Sequence, residues 1–199
     1  MSTPIFDEKL SFLNRFILEL VGEYQAGKIN SWEALDEKVK SFFTPERMNQ
    51  IDSSLADLFD VTGVDFSEAQ IELATQNIPN AKFICEDMTK LKFSENTFDG
   101  ICSYYAIIHI PRAEHQLLLL NFYHMLKTGG IALLCLGAEN LIDDIDENYL
   151  GTRMYWSHYD SETYLKMLKE CGFALIWSKY VKDSTCAGAG HLFVLAQKK

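Results

Sequence analysis

The spacing of apolar residues changes character part-way along the chain. From Phe6 through Leu10, Leu13, Phe16, Ile17, Leu20 and Tyr24 they recur every three or four positions, which lines up one helical face and turns Arg15, Glu19 and Glu23 to water. Gly27 closes that segment. A second helix is predicted behind Asn30, with Glu33 three residues on, burying Trp32, Leu35, Val39 and Phe42 before Pro45. From Asp60 onward short apolar runs alternate with helical stretches, the pattern of a doubly wound α/β sheet. Strands are predicted over Val61–Asp65, Ala81–Glu86, Phe98–Ser103, Ile131–Leu136, Ala174–Val181 and His191–Ala196. Ser67 and Gln70 form a capping box for a helix that ends before Pro79, a second helix runs from near Pro111 to Gly129, and Asp160 caps a third that stops at Gly172. The link from Lys182 to Gly190 is too short for a crossover helix, so the last two strands form an antiparallel pair.

A chain of 199 residues is expected to form one domain, here a helical segment over 1–44 and an α/β core over 59–199. With 48% hydrophobic and 23% charged residues, the composition is that of an ordinary globular protein. Its apolar stretches are interrupted well short of bilayer-spanning length, and no basic start precedes an apolar run, so a cytoplasmic protein without a membrane partner is expected. Cys85, Cys102, Cys135, Cys171 and Cys186 include no C-x-x-C pair and read as small core thiols rather than a metal site. A net charge of −10 removes the basic footprint that nucleic-acid binding needs and favours a small-molecule partner. Three lysines face ten acids between residues 51 and 100, a balance that suits either a cationic ligand or a solvated acidic surface.

Four stretches then carry a family resemblance: Val61-Thr62-Gly63-Val64-Asp65-Phe66-Ser67, Cys85-Glu86-Asp87-Met88, Phe98-Asp99-Gly100-Ile101-Cys102-Ser103 with the loop Tyr104 to Pro111, and Leu126-Lys127-Thr128-Gly129-Gly130-Ile131-Ala132-Leu133-Leu134. In this order and spacing they resemble the class I S-adenosylmethionine-dependent methyltransferases that act on small molecules. The resemblance implies a Rossmann-like sheet, mostly parallel, with a C-terminal antiparallel hairpin, S-adenosyl-L-methionine as cofactor and a small-molecule methyl acceptor. It implies that Asp65 accepts the ribose hydroxyls, with Phe66 beside it, that Asp87 reads the adenine amino group, and that Met88 packs against the ring. Ser103 ends the strand whose following loop faces the transferred methyl. Physical reasoning points to the same edge, because ligands of open α/β sheets bind outside the carboxyl ends of the strands, where Asp65, Asp87 and Ser103 all fall. The alternative roles are local: Asp65 as a cap of the next helix, Asp87 as a loop acid bonding nearby amides.

One part of the family pattern is absent. No glycine occurs between Gly27 and Gly63, so the loop D-x-G-x-G-x-G that follows the family's first, central strand has no counterpart, and Thr44 to Ser54 stands in its place. Without that strand two ladders are left to be filled, by direct pairing, by another segment, or by a second copy in a homodimer. A deletion variant of a normal enzyme is the simplest origin; a methyltransferase-like binding or assembly module without catalysis is the alternative. The G-x-G at Gly188 and Gly190 falls in the terminal hairpin and reads as a turn.

For the chemistry, in-line methyl transfer mainly demands alignment. Where an acceptor must lose a proton, His109 and His158 are the candidate bases, with Tyr104 and Tyr105 beside them. The aromatic run Met154 to Tyr159 offers faces to a cation or simply packs on the sheet, and the acids Glu139, Asp143, Asp144, Asp146 and Glu147 read as a solvated helix or loop face.

Overall fold

The computed structural model describes residues 56, 59–149, 151–182 and 190–199. The two helices expected before residue 45, the stretch from Thr44 to Ser54, and the terminal loop with Gly188 lie outside the described residues. The chain divides into two compact units, one ending at Lys90 and the other beginning at Leu91.

In the first unit, strand β1 (Thr62–Asp65) and strand β2 (Lys82–Cys85) pair in parallel, with Asp65 opposite Cys85. Helix α1 (Glu68–Asn77) makes the crossover between them. It starts where expected, because the Ser67 hydroxyl accepts from the Gln70 amide at 3.4 Å. It ends at Ile78, which leaves the helical region ahead of Pro79.

The second unit is built on a four-stranded sheet in the order β3-β4-β8-β7. Strand β3 (Phe98–Ser103) runs parallel to β4 (Leu126–Gly137), whereas β8 (Gly190–Lys198) runs antiparallel to both β4 and β7 (Phe173–Lys182). The expected terminal hairpin therefore forms, and its second strand inserts between β4 and β7. A register shift between Leu175 and Trp177 puts a bulge in β7. Among the described residues, β1 and β3 belong to separate sheets and do not pair with each other.

Helix α2 (His115–Met125) is shorter than the sequence predicts. The carbonyls of His124 and Met125 accept from the amides of Asn96 and Thr97 at 2.9 and 2.8 Å, and the Lys198 ammonium reaches the Leu126 carbonyl at 2.8 Å. With its last carbonyls satisfied from outside, the chain leaves the helix at Leu126 and enters β4 directly. Helix α3 (Ser161–Glu170) follows its signals closely: Asp160 accepts from the Thr163 amide at 2.8 Å, and Gly172 takes φ +101° just past the end, where a side chain would also meet the Tyr123 ring.

Leu118, Leu119 and Phe122 of α2, Tyr164 and Leu168 of α3, Leu134 and Leu136 of β4, and Val194 of β8 form the core. Each fully buried leucine stabilises the fold by about 2 kcal/mol. The acidic run is a strand, not the helix or loop the sequence suggests: β5 (Leu141–Tyr149) pairs antiparallel with β6 (Thr152–His158) in a two-stranded ribbon. Acids disfavour strands, but here they stand on an exposed ribbon and gain cross-strand partners, Asp144 opposite Trp156 and Asp146 opposite Met154.

One polar pair is sealed within this core. His115, with no exposed surface, donates from Nε2 to the Ile110 carbonyl at 2.9 Å and accepts at Nδ1 from the Tyr164 hydroxyl at 2.6 Å, clasping α2 to α3. Burial is the main force holding its pKa below the ordinary histidine value. The unfolded chain, titrating near pH 6.5, therefore takes the proton first, so the His115 contribution is full above about pH 6.5 and is lost as the pH falls through the lower folded value. Thermal melts should show Tm dropping between pH 7 and 5, with a flatter dependence in His115→Gln; equal slopes in the two proteins would refute this.

Candidate functional site

In the first unit the two acids singled out from sequence fall at the carboxyl ends of adjacent parallel strands. Asp65 is the last residue of β1, and one of its oxygens accepts from the Ser67 amide at 2.8 Å. The local capping role is thus real, but it occupies one of about four lone-pair sites on an ionised carboxylate, which leaves acceptor capacity for two hydroxyls. Phe66, next to it, is 80% exposed. A large ring left uncovered beside a carboxylate with spare capacity is an arrangement suited to a flat, hydroxyl-bearing ligand.

Asp87 is committed more fully. Its Oδ1 accepts from both the amide and the hydroxyl of Thr89, at 2.9 and 2.8 Å, and its Oδ2 lies 3.2 Å from the Lys90 ammonium. The Thr89 amide first, then its hydroxyl and Lys90, hold the carboxyl below the usual range. It stabilises the turn Met88–Lys90, in which Met88 is half-buried.

In the second unit Ser103 ends β3 and is buried. The chain then turns sharply, with Tyr105 at φ +50°, a left-handed conformation that a bulky residue keeps only where its surroundings demand it. Tyr104 packs against Phe193 and Tyr105 against His191, with ring centroids 5.8 and 4.8 Å apart. Burial of the Tyr104 hydroxyl, with smaller contributions from Cys102, Cys135 and Tyr105, pushes its phenol up to about 12, although half of the ring surface stays open. At neutral pH Tyr104 is therefore a hydrogen-bond donor and not a base.

Both candidate histidines lie in this unit, and both meet a backbone carbonyl through Nδ1. His109, in the turn Ile107–His109, contacts the Tyr155 carbonyl of β6 at 2.8 Å, and His158 contacts the Glu139 carbonyl at 2.6 Å. A carbonyl only accepts, so each Nδ1 carries a proton, and in the neutral form of each ring Nε2 holds the lone pair. The His109 ring is tilted against Trp156 at 5.9 Å. The His158 ring lies directly over Gly137, where a Cβ would come within 2.2 Å of it.

Residues 50–130, which span β1, β2, β3 and the turn carrying His109, match a family model described as a methyltransferase domain. The chain is 34% identical over 121 residues to phosphoethanolamine N-methyltransferase 3 of Arabidopsis thaliana, covering 57% of this chain and 24% of that protein. The chain thus spans about a quarter of the length of this curated relative. Among solved structures, an S-adenosylmethionine-dependent methyltransferase from Methanosarcina mazei superposes with a TM-score of 0.61 at 18% identity, covering 72% of this chain and 84% of that one. A [4+2]-cyclase superposes with a TM-score of 0.58 at 16% identity, covering 73% and 70%. The methyltransferase fold is therefore present, and proteins that share it are not confined to one reaction.

Beyond the matched residues, the β5–β6 ribbon carries a polar cluster that sequence reasoning did not pick out. Ser157 is fully buried; its hydroxyl donates to Asp143 Oδ1 at 3.0 Å and accepts from the amides of Arg112 and Asp143 at 3.3 and 3.4 Å. Tyr155 donates to the same Asp143 oxygen at 2.5 Å. These bonds, Tyr155 first, hold the Asp143 carboxyl below its usual range, and Asp143 sits at φ +49° where the ribbon's register shifts. Arg112 stacks over Tyr159 at 4.7 Å and reaches Asn140 at 3.3 Å. The sequence signal was available: Tyr155 and Ser157, two hydroxyls at strand spacing, place both groups on one side of β6.

Gly137 offers a direct test of how His158 is seated. Gly137→Ala should lower stability by about 1–3 kcal/mol in urea melts, the range for forcing an extra methyl into a packed site. Adding His158→Ala should recover most of that loss; a double variant no better than Gly137→Ala alone would mean that the two positions do not touch.

Proposed function

We propose that this protein descends from S-adenosylmethionine-dependent methyltransferases of small molecules and acts on an acceptor amine, with a cofactor grip weakened at the methionine end. The observation that carries the reading is the pair Asp65 and Phe66: a strand-end carboxylate with unused acceptor capacity beside an uncovered ring. Buried hydroxyls left without partners cost about 1–3 kcal/mol each, so a carboxylate able to take two of them discriminates strongly for a ribose. Asp87 is expected to contribute less, since Thr89 and Lys90 already engage it, and Met88 completes the adenosine contacts proposed for the first unit.

Bound S-adenosyl-L-methionine would supply an electrophilic methyl group. What the chain supplies on the acceptor side is a proton sink. An ammonium cannot attack until it loses a proton, and the Nε2 lone pair of His109 is the group proposed to take it, with His158 as the second candidate and Tyr104 as a donor to the acceptor's polar atoms. The Trp156 face beside His109 suits a cationic acceptor before that transfer. Phosphoethanolamine is the first acceptor to test, because the Arabidopsis relative is named for it.

A second reading has its own observation. The chain contains no glycine between Gly27 and Gly63, so the glycine-rich pattern expected to cradle the methionine end has no counterpart in the sequence, which fits a methyltransferase-like binding or assembly module. A homodimer joined through the incomplete sheet belongs to either reading.

Calorimetric titration separates them. Catalytic descent expects micromolar binding of S-adenosyl-L-methionine that weakens roughly 10-fold or more in Asp65→Ala, in line with the loss of one or two charged hydrogen bonds. It also expects methyl transfer to phosphoethanolamine that falls about 10²- to 10⁴-fold in His109→Ala. No heat at millimolar ligand would reject the catalytic reading and leave the binding module.

A further inference from the structure

A serine hydroxyl offers one donor and two acceptor lone pairs, and Ser157 uses all three. Its partners come from two places: Arg112, three residues beyond His109, and Asp143 in the bulge of β5. The hydroxyl has no exposed surface, so no water takes over if these bonds are lost. Two residues back along β6, the Tyr155 carbonyl holds Nδ1 of His109. The Tyr155 phenol is anchored on the Asp143 oxygen that also receives the Ser157 proton, so both ends of the Tyr155–Ser157 step are fixed to one point.

We infer that Ser157 is a positioning residue for His109: by pinning β6 to the Arg112 turn and the Asp143 bulge, it fixes the Tyr155 carbonyl that keeps the imidazole proton on Nδ1 and the lone pair on Nε2. An imidazole free in water favours the opposite tautomer, with Nε2 protonated and useless as a base. The orientation of one buried hydroxyl thus decides which nitrogen of His109 carries the proton. The meaning of this for turnover rests on His109 acting as the base; the tautomer itself does not.

The test reads the tautomer in the ligand-free protein by ¹⁵N-histidine NMR, comparing the two ring nitrogens of His109. In the unmodified chain the Nδ1–H form should dominate. In Ser157→Ala the ratio of Nδ1–H to Nε2–H should fall roughly 3- to 10-fold, which corresponds to one ordinary net hydrogen bond. His158, held by a different carbonyl, should keep its ratio and so reports any general loosening. Should Ser157→Ala fail to fold, Asp143→Gly removes the exposed anchor while suiting the left-handed backbone there, and should produce the same shift; Asp143→Asn, which keeps an acceptor oxygen, should restore it. A His109 ratio unchanged in these variants, or a His158 ratio that moves with it, overturns the inference. A shifted tautomer in a chain that transfers no methyl group retains the inference and removes the catalytic reading, whereas methyl transfer with an unresponsive tautomer does the reverse.

Discussion

Strand β4 is bonded along both of its edges, and the second unit is organised around that fact. Over Ile131 to Leu134 the same four residues hold a parallel ladder to β3 and an antiparallel one to β8. A strand without an open edge has no route to water for its amides and carbonyls, so any local change must satisfy two neighbours at once. Ala132, Leu134, Cys135 and Leu136 of this strand are also fully buried. Ser103 closes β3 opposite Leu134, and Gly137 closes β4 beneath the His158 ring.

Much of this was legible in the sequence, for reasons that can be named. The start of Phe98–Ser103 was legible because Glu95 and Asn96, both poor strand formers, stand just ahead of it. Ser67 and Asp160 were readable as caps because a short side chain that accepts from an amide three residues on needs no tertiary help. The early end of α2 was not readable, since it depends on Asn96, Thr97 and Lys198, remote in sequence, reaching its last carbonyls and the first of β4. The β5–β6 ribbon was missed for a different reason: its acids advertise solvent, and a ribbon that is exposed along β5 shows no alternation of buried and open positions to betray it.

The same division holds at the site. Asp65 and Asp87 were found at strand ends by their position, but position alone could not tell that Asp87 would be absorbed by Thr89 and Lys90 while Asp65 would be left largely uncommitted. For Ser157 the strand spacing from Tyr155 shows only that the two hydroxyls share a side of β6; that its hydroxyl finds three partners is visible only in the fold. What distinguishes these residues is hydrogen-bonding capacity, used or unused, and that is a property of the fold and not of the residue type.

The bulge in β7 carries a last implication, for the protein's behaviour in crowded solution. Among the described residues β7 is the outermost strand of its sheet, and it presents Ile176 and Tyr180 to solvent, an invitation for two molecules to zip together edge on edge. The extra residue between Leu175 and Trp177 twists that rim, and Lys182 stands charged at its far end. Both features are obstacles to stacking. The irregularity in the ladder acts as a guard against aggregation, and straightening it would trade colloidal safety for a few more regular bonds.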